Sequence, residues 1–212
     1  MLWNQHKDYE GKHAFLGASQ WRWTTWDDAT LEDRYYSQYA QQAGTILHAL
    51  AHDCICSNMK LNKSDKHLID MYMYKNFIPR NAYDTDFFLD NLLPFVNDAI
   101  GFHMSSEVLL FYSPNCFGTA DAIMYYEKDK TLRIHDLKSG TQAAHPEQLM
   151  IYAALFYLEY KKKPTENKTL LRIYQNCEII EYEPDPMEIE KLMKLIQNRD
   201  NYLQLMKGVS VK

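Results

Sequence analysis

The sequence predicts an α/β fold, with a mixed central β-sheet flanked by helices and a mainly helical N-terminal part. Two observations predict it. Apolar residues recur at helical spacing through the first hundred residues, whereas short β-branched and aromatic runs bounded by turn residues begin near residue 106. The second half then reads as three strands, a helix, two strands and a helix. That order implies a mixed sheet with helices packed on it.

The helical part begins with a short helix after Ser19. A longer helix is predicted from about residue 30 to residue 55, because Leu31, Tyr35, Ile46 and other apolar residues form one stripe along it. Residues 60–100 predict one or two further helices. We expect Pro79 and Pro94 to interrupt them, because proline removes a helical hydrogen bond and clashes with the preceding turn.

Five strands and two helices are predicted in the second half. The strands are runs rich in β-branched and aromatic residues, and they cover residues 106–112, 118–126, 131–138, 169–174 and 177–182. The helices cover about 146–160 and 186–206, and each starts at a proline, which is favoured in the first helical turn.

Length and composition predict one domain, residues 1–212, with residues 1–100 mainly helical and residues 101–212 holding the sheet and its closing helices. The net charge of −5 means that any contact with nucleic acid must come from a local basic groove. The four cysteines form no C-x-x-C pair and fit a reducing cytosol. The polar N-terminus lacks a signal peptide, and the apolar segment 149–158 is too short to cross a bilayer. We therefore expect a cytoplasmic protein without a membrane partner.

A predicted hairpin places two acids face to face. Residues 127–130 form a polar turn between the second and third strands, which pairs Tyr126 with Thr131 in the simplest register. The same register sets Asp121 opposite Asp136, with Cβ atoms about 5 Å apart. Strand alternation puts Lys138 on the face of Asp136.

Two carboxylates at that separation repel by roughly 3 kcal/mol at an effective dielectric constant near 20. A shared proton would relieve the repulsion, and so would a divalent cation such as Mg²⁺ or Mn²⁺. Lys138 would then orient or deprotonate a water, or stabilise charge on a phosphate. The alternative is an exposed strand end at which Asp121 and Lys138 form an ordinary salt bridge.

Three further residues are candidates for a site. Gln148 and Tyr152 are four residues apart and so share a helix face close to the helix start. Alternatively, Tyr152 is a core aromatic and Gln148 a surface residue. His48 and His52 lie one turn apart and could hold zinc, but Ala49 follows His48, so the glutamate of an H-E-x-x-H metalloprotease is missing.

These motifs together resemble the PD-(D/E)XK nuclease superfamily, and specifically its RecB-like branch with Cas4-like members and phage-type exonucleases. The segments that carry the resemblance occur in the family's order: Gly44-Thr-Ile-Leu-His48, Gly118-Thr-Ala-Asp121, Asp136-Leu-Lys138 and Gln148-Leu-Met-Ile-Tyr152. They cover about residues 40–155. The family fold, a restriction-endonuclease-like core, agrees with the mixed sheet predicted from the pattern.

The resemblance implies a single nuclease domain that hydrolyses phosphodiester bonds in DNA, as an exonuclease in phage or bacterial recombination or DNA processing. It implies a role for each matching residue. The metal ligands for Mg²⁺ or Mn²⁺ would be His48, Asp121, Asp136 and the backbone carbonyl of Leu137. Lys138 would be the catalytic lysine, and Gln148 and Tyr152 would contact the substrate.

The resemblance also implies partners. The expected partner is DNA, single- or double-stranded, in a bacterial or phage-infected cell, and a recombination or single-strand-annealing protein would be a second one. The chain departs from the iron–sulfur members of the branch, because only Cys177 lies beyond residue 116, so no iron–sulfur cluster is expected. A noncatalytic factor that binds nucleic acid or protein on the same scaffold is the alternative, and a zinc site at His48 and His52 is a third hypothesis.

Three tryptophans crowd one short segment, Trp21-Arg-Trp23-Thr-Thr-Trp26. Tryptophans at helical spacing favour a place in the core. The alternative is a platform on which unpaired bases stack.

Overall fold

A computed structural model describes residues 4–208 of the chain. It confirms the predicted fold class, because a five-stranded mixed sheet is flanked by helices and preceded by a helical N-terminal part. The strands lie in sequence order across the sheet and are β1 (Ser105–Ser113), β2 (Cys116–Tyr126), β3 (Thr131–Leu137), β4 (Lys168–Gln175) and β5 (Glu178–Tyr182).

Neighbouring strands are antiparallel except at one place. β3 and β4 run parallel, and a helix connects them, as a parallel crossover requires. β3 is therefore the central strand, with an antiparallel neighbour on one side and a parallel neighbour on the other.

The α-helices of the described residues are α1 (Asp28–Ser37), α2 (Ala40–Cys56), α3 (Lys66–Lys75), α4 (Thr85–Gly101), α5 (Glu147–Glu159) and α6 (Pro186–Met206). Aspartates begin three of them, because their side chains accept backbone N–H groups that the first helical turn leaves without partners. Asp27 caps α1, Asp84 caps α4 and Asp185 caps α6, where Pro186 follows in the first turn.

Two apolar clusters form the core, one on each face of the sheet. The first joins α2, α3 and α4 to one face and centres on side chains such as Leu47, Met73 and Phe95. The second joins α5 and α6 to the other face around Ile134 and Leu155. The helices before the sheet and the helices within and after it thus bury their apolar side chains against opposite faces of the same sheet.

Three details of the predicted N-terminal part are wrong. The predicted helix from residue 30 to 55 is two helices, with a break at Gln38 and Tyr39. Pro94 does not interrupt a helix but lies inside α4, where the carbonyl that loses its helical partner belongs to the exposed Asp90. The tryptophans at residues 21, 23 and 26 are not core residues, because none of them is buried.

The short helix predicted after Ser19 is a 3₁₀-helix, Ala18–Thr25. Along residues 4–208, we find no helix with the length and apolar character that crossing a membrane requires.

Candidate active site

The hairpin of β2 and β3 has the predicted register. Tyr126 pairs with Thr131, and the pairing continues to Ala122 and His135. One residue further, the Asp121 carboxylate turns to the neighbouring backbone, and its Oδ2 accepts a hydrogen bond from the N–H of Leu137 at 2.8 Å. The contact fixes Asp121 at the end of β3, beside Asp136. The backbone group of Leu137 that contacts Asp121 is therefore its N–H and not its carbonyl.

The alternation of faces along β2 breaks at Asp121. Ala120 and Ile123 both pack in the cluster beneath α5, whereas Ala122 belongs to the cluster on the other face. Opposite this break, β1 carries Glu107 with a φ of 55°. A positive φ is unusual for a residue with a side chain. The two distortions face each other and turn the Glu107 and Asp121 carboxylates toward α2.

Helix α2 brings His48 to these carboxylates. Its Gly44 passes so near the end of β3 that a Cβ atom there would lie 2.5 Å from Oγ of Ser139. One turn further along the helix, Nδ1 of His48 lies 3.3 Å from Oδ1 of Asp121. The glycine of the G-x-x-x-H segment thus permits the approach that its histidine needs.

His48, Glu107 and Asp121 each offer one ligand atom, and these atoms lie within 4.8 Å of one another. Burial opposes protonation of His48, but its hydrogen bond to Asp121 and the surrounding negative charge outweigh burial and raise its pKa. Burial, followed by the charge of Asp121, raises the pKa of Glu107. The group therefore concentrates negative charge at one point, which is what a cation site requires.

Asp136 and Lys138 form the second half of the site. Asp136 is only 3% exposed, and Nζ of Lys138 donates to its Oδ1 at 3.2 Å. Oδ2 lies 3.0 Å from the same ammonium but at an angle that makes no hydrogen bond. Burial, reinforced by the charge of Asp121 and countered by Lys138, raises the pKa of Asp136. The predicted alternative, a salt bridge between Asp121 and Lys138, does not form, because the lysine pairs with Asp136.

Helix α5 closes the site from the other side. The Lys138 ammonium donates to Oε1 of Gln148 at 2.8 Å, and the Gln148 amide donates to the Tyr152 hydroxyl at 3.1 Å. The Tyr152 ring lies against β2, where a Cβ atom on Gly118 would come within 2.8 Å of it. Tyr152 is half-buried, and Gln148 is an exposed residue whose amide oxygen and amide nitrogen each make one of these hydrogen bonds. The predicted shared face is therefore observed. Gln148 lies at the surface, as the alternative expected, but Tyr152 is only half-buried and is not an ordinary core residue.

The structure thus joins all seven residues singled out from the sequence through direct contacts or adjacency in the chain. The residues in that network are His48, Asp121, Asp136, Leu137, Lys138, Gln148 and Tyr152. His52 is the exception among the candidates, because its ring lies 3.6 Å from Sγ of Cys56, one turn further along α2.

Glu107 is the member that the sequence pattern did not reveal. A single acid in an otherwise apolar strand was its only sequence signal, and the side to which it points depends on the distortion of β1. Within residues 4–208, the only group of three metal-binding side chains found at this spacing is His48, Glu107 and Asp121.

The donor set fits Mg²⁺ or Mn²⁺. Carboxylate oxygens suit these hard cations, and one imidazole nitrogen is compatible with Mn²⁺. Asp136 adds a buried carboxylate oxygen without a hydrogen-bond donor, in contact only with the ammonium. A zinc site built from His48 and His52 fits less well, because His52 is not among the ligand atoms that lie within 4.8 Å of one another.

Residues 13–177 match the family described as "Protein of unknown function (DUF2800)". The match covers well over half of the chain and includes every residue of the site, so the chain belongs to this family. No curated protein and no solved structure matches it.

Proposed function

We propose that this member of the DUF2800 family is a metal-dependent DNA nuclease of the exonuclease type. It would hydrolyse phosphodiester bonds during DNA recombination or processing in the cytoplasm of a bacterial or phage-infected cell. The observation that carries the proposal is the convergence of four elements, α2, β2, β3 and α5, on one network of acidic, basic and amide side chains.

The convergence supports the resemblance to the RecB-like branch of the PD-(D/E)XK superfamily. Each of its four motifs is weak alone, and no two of them are neighbours in the sequence. A chance set of motifs would have no reason to meet in space, yet here the glycine, histidine, aspartate, lysine, glutamine and tyrosine positions all face the end of β3.

The residues fall into two groups by the work they can do. His48, Asp121 and Asp136, with Glu107 beside them, would hold Mg²⁺ or Mn²⁺. When bound, such a cation lowers the pKa of water and polarises a phosphoryl oxygen. Since the Asp136 carboxylate is buried and pays a desolvation penalty as an anion, a cation next to it would favour its ionised form.

Lys138 has a different task. Its ammonium is held between the Asp136 carboxylate and the Gln148 amide oxygen, so its position is fixed before the substrate arrives. A fixed positive charge stabilises a phosphate as negative charge builds up on it, and it requires no reorganisation at that moment. Gln148 positions the lysine, and Tyr152 positions Gln148.

A cleavage assay tests the proposal. End-labelled single-stranded and double-stranded DNA would be incubated with the protein and Mn²⁺ or Mg²⁺, and in parallel with a chelator. We expect cleavage with either metal, none with the chelator, and resistance of circular DNA to an exonuclease. Asp121→Asn should abolish cleavage, whereas Asp129→Asn, in the exposed turn of the same hairpin, should not.

A noncatalytic factor that binds nucleic acid or protein is the second candidate. The ion pair between Asp136 and Lys138 favours it, because a paired lysine accounts for a buried carboxylate without any metal. Wild-type protein that leaves every DNA and RNA substrate intact in Mn²⁺ would replace the nuclease proposal with this one.

A further inference from the structure

The segment before α1 contains a second candidate site that the nuclease proposal does not use. Trp21, Trp26, Arg22 and Arg34 line a pocket of about 350 Å³, together with Ser19 and Gln20. The pocket combines indole rings and guanidinium groups, and no carboxylate lines it.

The segment is held in place from behind, so that its outer side chains remain free. Nε1 of Trp23 donates to the carbonyl of Gly17 at 3.0 Å. The Trp26 ring lies against Phe15, with ring centroids 6.3 Å apart. Trp21, in contrast, is 64% exposed. Trp23 therefore anchors the turn, Trp26 packs beneath it, and Trp21 presents its ring to solvent.

The charges of the pocket contrast with those of the whole chain. The net charge is −5, yet neither Arg22 nor Arg34 forms an ion pair with any residue in the described range 4–208. A guanidinium without a carboxylate partner is available to an incoming phosphate, which it binds through paired N–H groups.

We propose that this pocket binds single-stranded nucleic acid, with an unpaired base stacked on Trp21 and the adjacent phosphates on Arg22 and Arg34. The inference rests on the proposed nuclease function and deepens it, because it names the form of the substrate. Proteins that hold single strands combine cationic side chains along the backbone with aromatic rings under the bases.

Single strands fit the pocket better than duplexes do. In a duplex, both faces of each base are covered by its neighbours, so an exposed indole has nothing on which to stack. A frayed or resected end presents free base faces and two or more phosphates at once. The ligand is therefore an unpaired end or a single-stranded stretch, and its sequence is of little importance, because every base has a face that stacks.

Fluorescence anisotropy with fluorescein-labelled oligothymidylate tests this inference, and a chelator prevents cleavage during the titration. We expect Trp21→Ala to weaken binding about 5- to 150-fold, the range for loss of one stacked base. The double variant Arg22→Gln/Arg34→Gln should lower the slope of log K against log salt by about 1.4, or 0.7 for each lost phosphate contact on a single strand.

Matched controls separate the pocket from general surface effects. Phe77→Ala removes an aromatic ring that is 90% exposed elsewhere, and Arg199→Gln removes an exposed guanidinium from α6. Both should bind like the wild type. Melting curves of all variants should agree, since Trp21 and Arg22 are exposed.

Unchanged affinity and salt slope in the pocket variants would overturn the inference, and so would wild-type protein that binds no single strand. Equal binding of duplex DNA with the same losses in the variants would also overturn it, in favour of a duplex site. Failure of the nuclease proposal has a different signature, in which wild type binds the oligonucleotide normally in chelator but does not cleave it in Mn²⁺.

Discussion

His135 and Asp136 are consecutive residues of β3, both almost completely buried, and they face opposite sides of the sheet. Each side chain can be ionised, so each poses the same physical problem of a polar group withdrawn from water. The chain solves that problem differently on the two faces, and the difference separates a stabilising network from a reactive site.

On the His135 side, the charged groups are paired with one another, although Nε2 of His135 has no hydrogen-bond partner among the described residues. The Tyr174 hydroxyl donates to Oδ2 of Asp98 at 2.7 Å and lies 3.2 Å from Nδ1 of His135. Arg172 donates to the same Asp98 oxygen at 2.8 Å and also pairs with Glu181. Burial, with the nearby charges of Arg172 and Arg133, lowers the pKa of His135 to about 3. The imidazole is therefore neutral, and charge on this face is balanced.

On the Asp136 side, like charges are left together. Asp121 and Asp136 lie at one end of the hairpin, and Glu107 of β1 lies beside Asp121. Among the described residues, Lys138 pairs with Asp136 and His48 pairs with Asp121, and Glu107 forms no ion pair. A network built for stability would not leave three carboxylates so poorly neutralised. The comparison teaches that incomplete compensation, rather than burial itself, marks the site. Four predictions test it, from the largest expected effect to the smallest.

Lys138→Ala should lower cleavage by at least about 100-fold, the scale for loss of one group that stabilises transition-state charge. Its effect on melting temperature should be small. Lys162→Ala is the matched control, since the Lys162 side chain is 27% exposed against 29% for Lys138 and also pairs with a carboxylate, Glu127. Rates of cleavage by wild type and both variants provide the measurement. Equal rates for the two variants would remove Lys138 from the chemistry.

The His135 face should make the fold sensitive to acid. The unfolded chain takes up a proton on this imidazole near pH 6.5, whereas the folded chain does not until about pH 3. Stability is therefore retained above pH 6.5 and lost as pH falls toward 3, by about 1.4 kcal/mol per pH unit from this residue. Urea unfolding at several pH values would measure it. His135→Gln should flatten the profile between those limits, and an identical slope in the variant would contradict the assignment.

Asp98→Ala should lower the free energy of unfolding by about 2 kcal/mol, because it leaves the Tyr174 hydroxyl and the Arg172 guanidinium without their shared acceptor. Asp90→Ala, an exposed residue of the same helix, is the control. Denaturant titrations give both values. Cleavage per folded molecule should stay at the wild-type rate in both variants. A loss of activity in Asp98→Ala alone would show that the His135 face contributes to catalysis, which would contradict the separation of the two faces.

Asp136→Asn should change stability least. Burial and the charge of Asp121 disfavour the ionised carboxylate, so its removal should leave the metal-free protein as stable as before or more stable by up to about 1 kcal/mol. The increase in melting temperature that Mn²⁺ gives the wild type should disappear, since that increase depends on metal affinity. Melting curves with and without Mn²⁺ decide the matter. A clear loss of stability in chelator would mean that the ion pair with Lys138 is structural.

The sequence predicts the sheet and most of the site because these depend on local patterns. The polar turn at residues 127–130 sets the register of β2 and β3, and alternation then places Lys138 beside Asp136. Helical spacing places Gln148 and Tyr152 on one face. The meeting of α2 with β2 is not local, and it was anticipated only through the resemblance to a nuclease family.

Glu107 and the tryptophan segment could not be predicted, for physical reasons. The direction of Glu107 depends on a positive φ and on a break in the alternation of β2, and no residue type in either strand demands these. The exposure of Trp21 depends on a kink at Gln20 and on Trp23 taking the inward hydrogen bond. The sequence predicts a helix interruption at Pro94, because it does not show whether the carbonyl that loses its hydrogen bond can reach solvent. In the structure that carbonyl belongs to the exposed Asp90, and α4 continues through Pro94.

Gly44 and Gly118 have no functional group, yet both border the site where a single added carbon would collide with Ser139 or Tyr152. The flexible Ser139 hydroxyl could swing aside, but the Tyr152 ring could not do so without moving α5. The two positions therefore differ in how well they tolerate substitution by a residue with a side chain. Among relatives that keep the chemistry, we expect alanine or serine to appear at position 44 sooner than at position 118. A list of reactive groups would omit both glycines. Nevertheless, the absence of a Cβ atom at each position allows α2 and α5 to lie as close to the strands as they do.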